Sequence, residues 1–163
     1  CIPIDPFYLA WKAKQVGINA RFIELAGEIN ATMPDYVIQK VGEALSTVGK
    51  SIKGSRILIL GLAYKKNVDD SRESPSFVIM DLLMKMGADV QYSDPYLPEA
   101  PKTRKFNFDL QSVDINSENI KSFDAVVLST DHDGFDYDLL TRESKLIVDT
   151  RGRFTPSNTI ISA

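Results

Sequence analysis

Four stretches of this sequence carry side chains able to do chemistry. Cys1 and Asp5 stand four residues apart in CIPIDPFYL; Tyr64, Lys65, Lys66, Asp70 and Arg72 fall within GLAYKKNVDDSRESP; His132 lies in STDHDGF; and Arg151 and Arg153 lie in DTRGRF. A thiolate is a strong nucleophile once its pKa is lowered, and a carboxylate one helical turn away can orient a water or accept a proton. The carboxylate alone would raise the thiol pKa, so a cation or a helix amino terminus has to oppose it, and no Lys precedes Cys1. Two readings of Cys1 stay open: a nucleophile, or an inert cysteine. Because Cys1 is the only cysteine and His132 the only histidine, the chain has no internal disulfide and too few soft ligands for a structural zinc. No metal site is expected.

The cations divide between two loops, Lys65 with Arg72 and Arg151 with Arg153, and such groups suit a diphosphate, arginine above all because its planar fork donates paired hydrogen bonds. The competing readings are a solvated charged loop for residues 64–73 and an ion pair between Arg151 and Asp149. His132 reads either as a surface-loop residue or, lying just past a strand, as a contact to a base or sugar. RILIL is not followed by GxGxxG, so the dinucleotide fingerprint is absent.

The elements that must position these groups follow from periodicity. Asp5 is the expected N-cap of a short helix with Pro6 at its first position and Gly17 at its end. Between residues 19 and 49, Ile29, Met33, Val37, Val41 and Leu45 recur every four positions, which predicts a long helix. Pro34 must kink it or begin a second helix capped by Thr32. Its apolar face exceeds what a short leader covers, so it is expected to pack on another domain or subunit, with packing onto its own domain as the alternative. RILILG then reads as a buried parallel strand, residues 74–88 as a helix capped by Ser74 with Pro75 at its first position, DVQYSDP as a second strand, DAVVLST as a third, DYDLL as a short helix and KLIVDTRG as a fourth strand. Residues 97–117 receive no assignment. The alternation predicts an α/β fold, a parallel sheet flanked by helices and preceded by a long central helix. Residues 1–50 form the helical linker and residues 51–163 the sheet domain. In such sheets ligands bind at the carboxyl ends of the strands, where the last three of the four stretches quoted above fall.

Composition narrows the partners. The chain has 163 residues, 44% hydrophobic, with formal charge −3 from 19 Lys and Arg against 22 Asp and Glu, and it has no basic run to follow a phosphate backbone. Nucleic acid is not an expected partner. No apolar run reaches the roughly 18 residues that span a bilayer, so membrane insertion is not expected. Sparse cysteine fits a reducing cytoplasm. A first residue of Cys rather than Met suggests an excised part of a longer protein.

CIPIDPFYL, ARFIELAGEIN and GLAYKKNVDDSRESP, in that order, with STDH and VDTRG further on, resemble the nucleotide-sugar 6-dehydrogenases, the UDP-glucose and GDP-mannose dehydrogenase family. The resemblance implies a three-part protein: an NAD-binding Rossmann domain, not contained in this chain, then a central helix that forms a homodimer, then a Rossmann-like domain that holds the UDP of the substrate. It implies oxidation of the C6 alcohol of a nucleotide sugar to a carboxylate with two NAD and no metal, through a thiohemiacetal and a thioester on Cys1. Asp5 would assist water and proton transfer. Tyr64, Lys65, His132 and Arg151 would contact the UDP-sugar, Arg72 the NAD pyrophosphate, and Arg21 the partner subunit's site. Ile4 stands where UDP-glucose dehydrogenases tend to have Lys, so the resemblance is closer to the UDP-N-acetylhexosamine enzymes of capsule and O-antigen synthesis, with the gluco epimer favoured over the manno. This chain alone would be inactive. The alternatives are a UDP-glucose 6-dehydrogenase or a non-enzymatic nucleotide-binding and dimerisation module.

Overall fold

Alternate residues of one apolar run supply both faces of the central sheet. In Arg56–Leu60 (β1), Ile57 and Ile59 point to one face and Leu58 and Leu60 to the other, all fully buried, the period of two expected of a strand covered on both sides. The computed structural model describes residues 4–163, so Cys1 lies outside the described residues. Around β1 are four further strands, Asp89–Ser93 (β2), Ala125–Leu128 (β3), Ile147–Asp149 (β4) and Ile160–Ser162 (β5), hydrogen-bonded in the order β2-β1-β3-β4-β5 and parallel throughout. The fold is α/β, a Rossmann-like parallel sheet flanked by helices, as expected.

The helices are α1 (Asp5–Gln15), α2 (Arg21–Thr47), α3 (Pro75–Lys85), α4 (Ser117–Ser122) and α5 (Tyr137–Glu143). Ser74 caps α3 by accepting the Ser76 amide, and Pro75 opens it. Met80, Leu83 and Phe77 of α3 lie with Ile57, Ile59 and Val127 on one face, while Ile120 of α4 and Leu140 of α5 lie with Leu58, Leu60 and Val126 on the other. After β2 the chain crosses back over β1 to reach β3, so the winding reverses between β1 and β3.

The structure divides into two units, Cys1–Pro34 and Asp35–Ala163. In the first, the Phe7 ring fills the space beside Gly27, where an added Cβ would lie 2.2 Å from it, and Lys14 pairs with Glu24. Phe22 and Ile29 are exposed. In the second unit, Val37, Ile38, Val41, Ala44 and Leu45 of α2 are buried against the sheet; full burial of Val41 and Leu45 contributes about 1.5–3 kcal/mol each. This corrects the expectation that Val37 faces another domain or subunit: the stripe from Val37 to Leu45 belongs to its own domain's core.

Two local expectations are also corrected. Thr32 does not cap a second helix; α2 runs through Pro34, and the Thr32 hydroxyl donates to the Ile29 carbonyl at 2.8 Å. Asp5 is the first residue of α1, whose cap position is Ile4 without a side-chain cap. Residues 97–116, unassigned from sequence, are held by tertiary contacts: Phe106 and Phe108 stack on Phe77 at 6.0 and 6.1 Å between ring centres, and Ser112 pairs with Tyr92 beyond β2. That segment covers a sheet edge.

Candidate nucleotide-binding site

The site is built where the winding reverses. Gly61, directly after β1, has φ +85°, and a Cβ there would lie 2.4 Å from the Thr130 carbonyl oxygen. Only glycine lets the exits of β1 and β3 approach so closely. The closeness is fixed by Ser129 and Thr130 amides donating to the Leu60 carbonyl at 2.9 and 3.0 Å, and by the Thr130 hydroxyl donating to the Ala63 carbonyl at 2.7 Å. Buried Ser76, in the first turn of α3, donates to the Gly61 carbonyl at 2.9 Å and stands 2.6 Å from the Ser129 hydroxyl. The amino terminus of α3 therefore faces the β1/β3 crevice, where helix amides and dipole favour an anion.

Arg151 enters from the β4 side, its Nε donating to the Ser129 carbonyl at 2.5 Å. The ion pair with Asp149 does not form: Asp149 is buried, and its two oxygens accept the amides of Arg151 and Phe154, each at 2.8 Å. Arg151 as a residue is exposed. Tyr64 and Lys65 follow β1 on the same edge, with the Lys65 ammonium 5.9 Å from the Tyr64 ring centre. Among the described residues neither Lys65 nor Arg151 has a carboxylate within ion-pair distance, whereas Lys66 is spent on Asp133 at 2.6 Å. Arg153 lies over Tyr137 at 4.2 Å. Arg72, 87% exposed, makes a two-pronged bond to Asp70 at 2.9 and 2.8 Å. That bond holds the Asp70 carboxyl down at about 2. Asp5 and Arg21, both exposed, open α1 and α2 and belong to the first unit.

His132 differs from both readings of it. It is neither a surface residue nor open to a ligand: it is fully buried, with Nε2 3.1 Å from Asp94 Oδ2 and Nδ1 accepting the Asn67 amide at 2.9 Å. Asp94, which sequence reasoning passed over, also accepts the amides of Leu62 (2.7 Å), Ala63 (3.0 Å), Tyr96 (2.8 Å) and Leu97 (3.2 Å). Burial opposes its charge, but the His132 bond and these amides outweigh burial and keep the carboxyl below the usual range. A cleft of about 370 Å³ opens beside it, lined by Ser93, Pro98, Ser112, Val113 and Phe135.

The geometry also speaks to the cofactor. In a dinucleotide cradle the amides after the first strand meet the pyrophosphate; here the Leu62 and Ala63 amides are occupied by Asp94. This sheet does not fit an NAD cradle.

A family profile described as the UDP-glucose/GDP-mannose dehydrogenase family, UDP binding domain, matches residues 58–156. The chain belongs to this family. Its match takes in the end of β1, the Gly61 turn, α3 and the Arg151 loop. The chain is 38% identical over 135 residues to a UDP-N-acetyl-D-mannosamine dehydrogenase of Methanococcus maripaludis, covering 83% of this chain and 28% of that protein. It is 32% identical over 161 residues to an NDP-N-acetyl-D-galactosaminuronic acid dehydrogenase of Ralstonia nicotianae, covering 95% and 34%. The solved structure of a UDP-D-ManNAc dehydrogenase from Pyrococcus horikoshii superposes with a TM-score of 0.79 at 25% identity, covering 99% of this chain and 37% of that one. The chain thus spans about a third of the length of the curated relatives it matches. Among the described residues no helix is long and apolar enough to cross a membrane.

Proposed function

We propose that this chain is the UDP-sugar-binding part of an NAD-dependent UDP-N-acetylhexosamine 6-dehydrogenase. The observation that carries the reading is the β1/β3 crevice, where Ser76 at the α3 amino terminus and Arg151 both meet Ser129, in a domain matched as UDP-binding, with Lys65 in the loop that leaves β1. Lys65 and the exposed face of Arg151 neutralise the diphosphate, and Tyr64 contacts the substrate beside them. His132 acts from inside, by fixing loops, rather than through direct contact. Arg72, on the surface, is the group that would reach a cofactor phosphate, exchanging its Asp70 partner for it.

Because this sheet offers no dinucleotide cradle, NAD is assigned to a domain outside residues 51–163. Of the helical segment expected over residues 1–50, the part before Asp35 is assigned to pairing two copies, since Val37 to Leu45 pack in the sheet domain's core. The exposed Phe22, Leu25 and Ile29 support that pairing. Cys1 is assigned as the nucleophile and Asp5 as its carboxylate partner, with Arg21 serving the other copy's site. Oxidation of the C6 alcohol to the carboxylate would pass through a covalent adduct on Cys1, in the cytoplasm. This chain alone would bind the UDP-sugar without turning it over. Relatives named for N-acetylmannosamine favour that epimer over the N-acetylglucosamine expected from the sequence.

The test is calorimetric titration of the chain with UDP, UDP-N-acetylmannosamine, UDP-N-acetylglucosamine and UDP-glucose. Saturable binding with an N-acetylhexosamine preferred over glucose is expected. Equal affinity for all three sugars would remove the substrate assignment from this domain. In the longer protein, Cys1→Ser should abolish uronate formation; full turnover would remove the covalent route.

A further inference from the structure

We propose that His132 and Asp94 form a positioning pair that sets the substrate loop, with the His132 Nδ1 bond to Asn67 as the element that governs UDP affinity. The inference rests on the nucleotide-site reading above and assigns control of that site to a residue that cannot touch the ligand.

The Asn67 amide donates to Nδ1, so Nδ1 carries the lone pair and, in the neutral ring, Nε2 carries the hydrogen that meets Asp94. One imidazole thus joins the exits of three strands: β3 through its own backbone, β2 through Asp94, and β1 through Asn67. Tyr96 and Phe135 hold the ring in place at 5.1 and 5.6 Å between ring centres, and the Tyr137 hydroxyl donates to the His132 carbonyl at 2.7 Å.

The two bonds serve different parts of the molecule. The Asp94 bond completes a buried carboxylate whose other donors belong to residues 62, 63, 96 and 97. The Asn67 bond anchors the loop that carries Tyr64, Lys65 and Arg72, at a residue with φ +61°, a left-handed turn that asparagine tolerates better than most non-glycine residues. Asn67 and Lys66 are further tied to Asp133, the residue next to His132. The loop is therefore tied to the end of β3 in addition to its own internal bond, the Tyr64 amide donating to the Asp70 carbonyl at 2.7 Å.

Two conservative variants separate the bonds. In His132→Asn the amide oxygen takes the Nδ1 position and accepts Asn67, while the donor to Asp94 is lost. In His132→Gln the amide nitrogen takes the Nε2 position and donates to Asp94, while the Asn67 acceptor is lost. Thermal unfolding and UDP titration are measured on both. His132→Asn should lose more thermal stability yet bind UDP nearly as the native chain does, whereas His132→Gln should be the more stable variant and bind about tenfold more weakly. Affinity that follows stability across the pair, or is unchanged in both, would overturn the proposal. If the native chain gives no heat with UDP, the nucleotide reading fails on that result alone. Amide exchange in residues 62–73 then reads the anchor independently: faster exchange in His132→Gln than in His132→Asn supports it, and equal exchange overturns it.

Discussion

Gly61→Ala tests the geometry on which the site depends. Gly61 sits at φ +85°, where an L side chain costs about 1–2 kcal/mol. The added methyl would also lie 2.4, 2.5 and 2.8 Å from the oxygen, Cβ and Cα of Thr130, distances that no flexible side chain can relieve because two of the three atoms are backbone. The exits of β1 and β3 must part, which puts at risk the two bonds from Ser129 and Thr130 to the Leu60 carbonyl, each contributing about 0.5–1.5 kcal/mol. The total is roughly 2–5 kcal/mol. Gly54→Ala is the control: its φ is +81° and nothing lies within 4 Å of the added methyl, so it carries only the conformational part, about 1–2 kcal/mol. Urea unfolding followed by far-ultraviolet circular dichroism gives both numbers. Gly61→Ala should exceed Gly54→Ala clearly and should also lose UDP binding. Equal destabilisation would show that the strand exits are not held as closely as described.

Lys65→Ala and Arg151→Ala should each weaken UDP binding by about 1–3 kcal/mol, roughly 5- to 150-fold in Kd, with the fold intact by circular dichroism; native affinity in either would remove that residue from the site. Val37→Glu places a carboxylate in the core cluster of α2 and the sheet, so it should lower the unfolding free energy measured in urea by several kcal/mol, and an unchanged midpoint would return Val37 to the surface. Asp94 has its carboxyl pKa lowered in the folded chain, so its contribution to stability is fully present above the unfolded value of about 3.9 and is lost as pH falls below that toward the folded value. Stability of the native chain should therefore decline below about pH 4, and Asp94→Asn should show a flatter decline; parallel profiles would contradict the role given to Asp94.

The legible parts of the fold were those encoded by local pattern. RILILG announced β1 because a two-sided strand needs an unbroken apolar run, and Ser74-Pro75 announced α3 because both residues act within one turn. What stayed hidden depends on contacts distant in sequence. Residues 97–116 have little period of their own and take their path from Phe77. β5 and α4 are too short to carry a period, and the long stripe of α2 does not say which of its residues meet the sheet. At the site, Lys65 and Arg151 were visible as loop cations, but the pairing of His132 with Asp94 spans 38 positions, and a lone histidine past a strand gives no sign that it is fully buried. The Gly61 approach to Thr130 was equally silent, since its reason lies on a different strand.

The most direct test of the central claim is a nitrogen-15 spectrum of the chain recorded as UDP is added. UDP bound at the β1/β3 crevice should move amide signals of residues 61–66, 74–77, 129–130 and 150–152 together and saturably, leaving Arg56, Asp89 and Asp124 at the opposite end of the strands unmoved. Absence of saturable shifts, or shifts gathered at that opposite end, would contradict it.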